Sequence, residues 1–140
     1  MHKVAQALFD DSRWPLLRLR FPRTLSLVEF ETFLDVFGDY LERGERLLVL
    51  IDLSRIGLVP PEQRQRQIEW LEQYDLALRE RLIGTALVTT SPVIRLTISA
   101  IQFFKPMPIP LVTFARVEEA EAWAAERLQE AGLAQAGKRG

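Results

Sequence analysis

Side chains able to do covalent or metal chemistry are few in this sequence, and their spacing serves them badly. The one histidine, His2, stands at the extreme N-terminus, and cysteine is absent. No Ser–His pair, thiolate nucleophile, disulfide, or histidine- or cysteine-based metal site can be assembled in a core from this set. The acidic pairs Asp10-Asp11 and Glu118-Glu119 read as turn and helix-start residues, because a helix dipole favours acids in its first turn. Asp52 and Ser54 end an apolar run. They either act there or cap the loop backbone through Asx-type bonds, and the capping reading is preferred. The loop beyond them holds one glycine, Gly57, and enters Pro60-Pro61, which have no N–H to offer a phosphate. Arg55, Arg64 and Arg66 around Glu62 form either an anion or partner patch or a solvated helix face, and the latter is the simpler account. No catalytic residue, metal or cofactor is expected.

The elements that must position these groups can be read around Leu47–Ile51, an unbroken apolar run that stops at Asp52. A run without alternation needs cover on both faces, as at the centre of a sheet. The loop Leu53–Val59 follows, and then a helix opened by proline and Glu62. A buried strand therefore hands its loop to a helix at the sheet edge where ligands and partners dock in open α/β folds. Upstream, Lys3–Phe9 is expected as a first strand, 10–15 as a turn, and Leu16–Phe21 as a second strand of alternating polarity, the two making a hairpin. Ser26 with Glu29 predicts a capped helix to about Arg43, and Gly44 its left-handed stop. Pro61–Leu82 reads as helix with a kink or break near Gln73 to Leu76, and Gly84–Thr90 as a strand. Ser91-Pro92 starts a helix to Phe103 or Phe104, Leu111–Phe114 is a short last strand, and Val117–Leu133 a closing helix.

The predicted fold is α/β: an N-terminal β-hairpin followed by right-handed βα units, giving a mostly parallel five-stranded mixed sheet with about four helices. Strands laid down in sequential order would put every crossover helix on one face. Arg18, Arg20, Thr85 and Thr89 suit a second face that is only partly covered. Residues 1–133 are expected as one domain, with 134–140 a frayed tail. The 140 residues, 48% apolar and 26% charged with a net charge of −1, give no electrostatic case for nucleic acid or an anionic membrane. No run is long enough to span a bilayer and no signal-peptide region follows Met1, so a cytoplasmic protein is expected.

The least ordinary stretch is Pro92–Phe104. Val93, Thr97, Ala100 and Phe104 share one side of that helix, with Leu96 and Phe103 flanking. Ile94, Ile98 and Ile101 make a further stripe, leaving Arg95, Ser99 and Gln102 for water. An arc so wide exceeds what one sheet face needs. The isoleucine stripe is either ordinary packing against the Pro61–Leu82 helix or the lining of a partner surface, a homodimer seam or a hydrophobic pocket.

Several stretches together resemble the STAS fold of sulfate transporters and anti-sigma-factor antagonists, in its small SpoIIAA-like branch. They are Ser12-Arg13-Trp14-Pro15, Leu48-Val49-Leu50-Ile51-Asp52-Leu53-Ser54, Gly84-Thr85-Ala86-Leu87-Val88 with Ser91-Pro92, and Ala120-Glu121-Ala122-Trp123. The resemblance implies a non-enzymatic interaction module, and some SpoIIAA-like proteins are thought to hold lipophilic ligands or associate with membranes. The antagonists' phosphorylatable Asp-Ser-Ser-Gly box, laid on without gaps, falls on Pro60-Pro61-Glu62-Gln63, which carries no hydroxyl. The expectation is thus a regulatory interaction module without a phosphoserine switch, docking through 53–63 and 92–104 with a protein partner or as a homodimer. Its candidate contacts are Ser54, Arg55, Leu58, Glu62, Ile94, Ile98, Ile101 and Phe104. The alternative is a carrier of a lipophilic small molecule, or a membrane-associated ligand-binding protein, with Leu58, Ile94, Ile98, Ile101 and Phe104 as its walls.

Overall fold

The computed structural model describes residues 8–107 and 109–133. In chain order these form strands β1 (Phe9–Arg13) and β2 (Leu16–Arg20), helix α1 (Leu27–Glu42), strand β3 (Leu47–Asp52), helices α2 (Pro61–Gln73) and α3 (Asp75–Arg81), strand β4 (Leu82–Val88), helix α4 (Pro92–Phe104), strand β5 (Leu111–Phe114) and helix α5 (Val117–Glu130). The sheet order is β1-β2-β3-β4-β5, with β1 antiparallel to β2 and every other neighbour parallel. This is the expected α/β architecture, with five described helices in place of about four. Tyr74, at φ −100° and ψ 16°, breaks the long helical segment into α2 and α3.

Local chemistry accounts for most boundaries. Ser26 and Glu29 make the reciprocal capping box of α1, with Glu29 N–H to Ser26 Oγ at 3.1 Å and Ser26 N–H to Glu29 Oε1 at 2.8 Å. Gly44 takes φ +80° just beyond that helix. Several boundaries differ from expectation: β4 ends at Val88 and not Thr90, and α5 at Glu130 and not Leu133. Asp10–Arg13 is strand, not turn: an edge strand needs only its backbone paired, and a register shift between Asp10 and Arg13 accommodates the polar residues. The expected strand from Lys3 otherwise lies outside the described residues, as do His2 and 134–140. Strand β4 begins at Leu82, two residues before Gly84, because Leu82 is already extended at the end of α3. Gly84 sits inside the strand for a packing reason, since a Cβ there would lie 2.9 Å from Trp123 Cη2 of α5.

Register decides which layer each side chain joins. Leu17, Val49, Thr85 and Leu111 form one cross-strand row, and Arg18, Leu50, Ala86 and Val112 the next. The first row faces the layer built by α1, α2, α3 and α4, where Phe30, Phe33, Leu34, Trp70 and Leu78 are buried. All the crossover helices therefore share one face, as sequential strand order requires. The second row faces α5, packing Leu48, Leu50 and Ala86 against Ala120, Ala124 and Leu128. Arg18 reaches across that face to Glu121 at 2.8 Å, whereas Thr85 is buried on the opposite side and Thr89 is buried just past the end of β4. The grouping of Thr85 with Arg18 and Arg20 on one partly covered face is thus corrected: alternation fixes parity within a strand but says nothing of register between strands.

Candidate ligand-binding site

A cavity of about 230 Å³ lies between the sheet and α4. Ile51, Thr85, Leu87 and Leu111 supply its floor, Trp70 and Leu71 of α2 one wall, and Ile94, Thr97, Ile98 and Ile101 of α4 its roof. Leu58, on the loop between β3 and α2, also lines it and is 77% exposed, which marks the mouth. The lining is mainly apolar, and Thr85 interrupts an otherwise aliphatic cross-strand row at the floor.

Short, stiff side chains leave the space open. On α4, β-branched isoleucine and threonine have little rotamer freedom with which to reach down to the sheet. Only Ile94 is buried on this helix, while Thr97, Ile98 and Ile101 are half-buried. Bonds fix the roof at both ends instead. At the N-terminus Ser91 Oγ accepts the Ile94 N–H at 3.2 Å, and Arg95 Nη2 donates to the Thr89 carbonyl at 3.3 Å. At the C-terminus Lys105 Nζ meets Asp75 Oδ1 of α3 at 2.8 Å, and Gln102 Oε1 accepts the Met107 N–H at 2.9 Å. Hydrogen bonds from Arg79 first, then Lys105, hold the Asp75 carboxyl below its ordinary range, so the tether stays charged through neutral pH.

The expected site residues divide. Leu58, Ile94, Ile98 and Ile101 converge on the cavity. Phe104 does not wall it: α4 turns that side outward, leaving Phe104 68% and Phe103 80% exposed with their rings edge-to-face at 5.4 Å. Gln102, expected in water, is instead a lining residue. Ser54, Arg55 and Glu62 are exposed and do not line the cavity. Asp52 Oδ1 accepts the Ser54 N–H at 2.9 Å, the Asx-type bond expected of that pair. The cationic cluster around Glu62 is not assembled, because Arg66 pairs with Glu31 at 2.7 Å while Arg64 turns to the cavity. Arg23, Trp70 and Thr85 are lining residues that the sequence left unmarked. Strand parity does put Thr85 opposite Ala86, but the cavity it faces depends on how high α4 rides.

Among the described residues no cluster of acids or histidines is placed to hold a metal ion, and no helix is long and apolar enough to cross a membrane. Residues 16–125, from the start of β2 into α5, match the model of the SpoIIAA-like family. No curated protein matches the chain.

Proposed function

The chain belongs to the SpoIIAA-like family, and we propose that it is a non-catalytic regulatory module that takes an apolar ligand into the cavity beneath α4. Domains of this family are generally regulatory and without catalysis. The observation that carries the ligand reading is the cavity itself, about 230 Å³ under a roof tied to its neighbours at both ends. That exceeds the ~150 Å³ of a dry apolar cavity that already binds benzene, and a mainly apolar pocket with a few polar groups is the usual form of a small-molecule site. Native mass spectrometry of protein purified from cells, with calorimetric titration of 1-decanol, tests the reading. Co-purified lipid or saturable decanol binding supports it. A clean unliganded mass together with no saturable response rejects it.

A second reading, docking of a protein partner or a second copy, is favoured by the outward face of α4. Val93, Leu96, Phe103 and Phe104 are 51%, 72%, 80% and 68% exposed there. Leu96→Glu with Phe103→Glu is expected to abolish any complex seen by light scattering while leaving circular dichroism and decanol binding native. A wild-type chain that is monomeric and captures no partner removes this reading.

A further inference from the structure

The charged groups around the cavity are all of one sign: Arg23, Arg64 and Lys105 line it, and no acidic residue does among the described residues. Lys105 is neutralised by Asp75 at 2.8 Å, far along the roof helix from its start. Arg23 and Arg64 make no ion pair among the described residues. Both touch the loop that carries Leu58 at the mouth. The Arg23 carbonyl accepts the Gly57 N–H at 2.9 Å, and Arg64 Nη1 donates to the Val59 carbonyl at 3.2 Å. An apolar interior with uncompensated guanidinium groups at its rim is complementary to a molecule with a hydrocarbon tail and a negative end.

Accepting that the cavity holds a ligand, we propose that the ligand is a single-chain amphiphile with an anionic head group, its tail under α4 and its head held at the mouth by Arg64 with Arg23. Size sets the tail. If ~150 Å³ accommodates the six carbons of benzene, each carbon takes ~25 Å³. The 230 Å³ here then accepts about nine carbons, so a medium-length chain fills the cavity and places its head among the arginines. Arg64 is the principal contact, being half-buried on α2 where a charge-assisted bond is less screened than at exposed Arg23.

The test is calorimetric titration of the wild-type chain at pH 8 with decanoate, decyl phosphate, 1-decanol and decylamine. An anion is expected to bind ~10-fold tighter than decanol, and the amine weaker than both. Preference for decanoate identifies a carboxylate head and preference for decyl phosphate a phosphate head; either supports the proposal. Arg64→Gln should shrink the anion's advantage to about twofold or less while decanol affinity stays unchanged. Arg116→Gln, the same charge change at the start of α5, should leave the advantage intact. Equal binding of anion and alcohol, or an advantage that survives both Arg64→Gln and Arg23→Gln, overturns the head-group assignment and leaves the cavity reading standing. Failure of all four probes to bind overturns both.

Discussion

Filling the cavity from within should weaken ligand binding at little cost to the empty protein, and Ile98→Trp is the substitution that does so. Ile98 projects from the middle of α4. The exchange adds six heavy atoms, but closely bonded ring atoms take less room than the methyl and methylene groups they replace, so the side chain grows by only about 60 Å³. Of the 230 Å³ present, about 170 Å³ then remains, room for about seven carbons where about nine fitted. At ~24 cal/mol per Å³ the filled volume recovers at most about 1.4 kcal/mol. Strain from fitting a large rigid ring takes back roughly 1–3 kcal/mol, so the net effect lies between near neutral and a loss of about 1.6 kcal/mol. For a chain of this length that is a Tm change of no more than about 6 °C. Differential scanning calorimetry of ligand-free protein and calorimetric titration of decanol read the two effects separately. A Tm lowered by more than about 8 °C with decanol binding intact would refute the reasoning, since the indole would then have found no space and the ligand some other site.

Gly84→Ala probes the opposite face. Its Cβ would stand 2.9 Å from Trp123 Cη2 and 3.7 Å from Leu48 Cδ1, so the Trp123 ring or α5 beneath it must shift, at a cost of about 1–2 kcal/mol and a Tm loss of about 4–8 °C; an unchanged Tm would contradict that close approach. Ser26→Ala removes the side-chain half of the α1 capping box and is expected to cost about 1 kcal/mol in urea unfolding, with an unchanged slope. For pH, Asp75 is depressed below its ordinary 3.8, so its contribution is complete above that value and is lost only as pH falls through the lower folded-state value. Decanol affinity should therefore be flat from about pH 5 to 9 and decline only below about pH 4; a transition near neutrality would show that another group controls the roof.

How much of this was legible beforehand depended on whether a feature is local. Capping residues, proline at the start of α2 and α4, Gly44 and the apolar run of β3 each act within a few residues, so their elements were readable directly. The break at Tyr74 showed as a drift in the apolar stripe. By contrast, β1 was misplaced because Asp10–Arg13 carry turn chemistry, and only the partner strand β2 makes them a strand. Thr85 cannot be given its layer from alternation alone, because register is a relation between strands. The site was half readable for the same reason. Ile94, Ile98 and Ile101 are visible as a stripe, but which apolar side of α4 faces inward depends on where the helix crosses the sheet, and Phe104 falls outside the cavity it was expected to wall.

Why the space lies under α4 and not elsewhere follows from the reach of the side chains on that layer. Above β1, β2 and β3, α1 and α2 send down aromatic rings. Phe33 meets Phe21 at a centroid distance of 4.8 Å, and Phe37 meets Trp70 at 4.9 Å, so that half is largely filled and these rings form the far wall of the cavity. Above β4 and β5 the facing residues are Thr85, Leu87 and Leu111 from the sheet and isoleucine and threonine from α4, none of them long enough to bridge the gap. Lys105, paired with Asp75 of α3, and Arg95, bonded to the Thr89 carbonyl just past β4, tie α4 to its neighbours at both ends, while packing in the middle is left to short side chains that do not close the space. Shortening a buried lining residue such as Ile94 to alanine would enlarge this space at a cost of about 2–5 kcal/mol, whereas releasing the Lys105–Asp75 tether is expected to let the roof move.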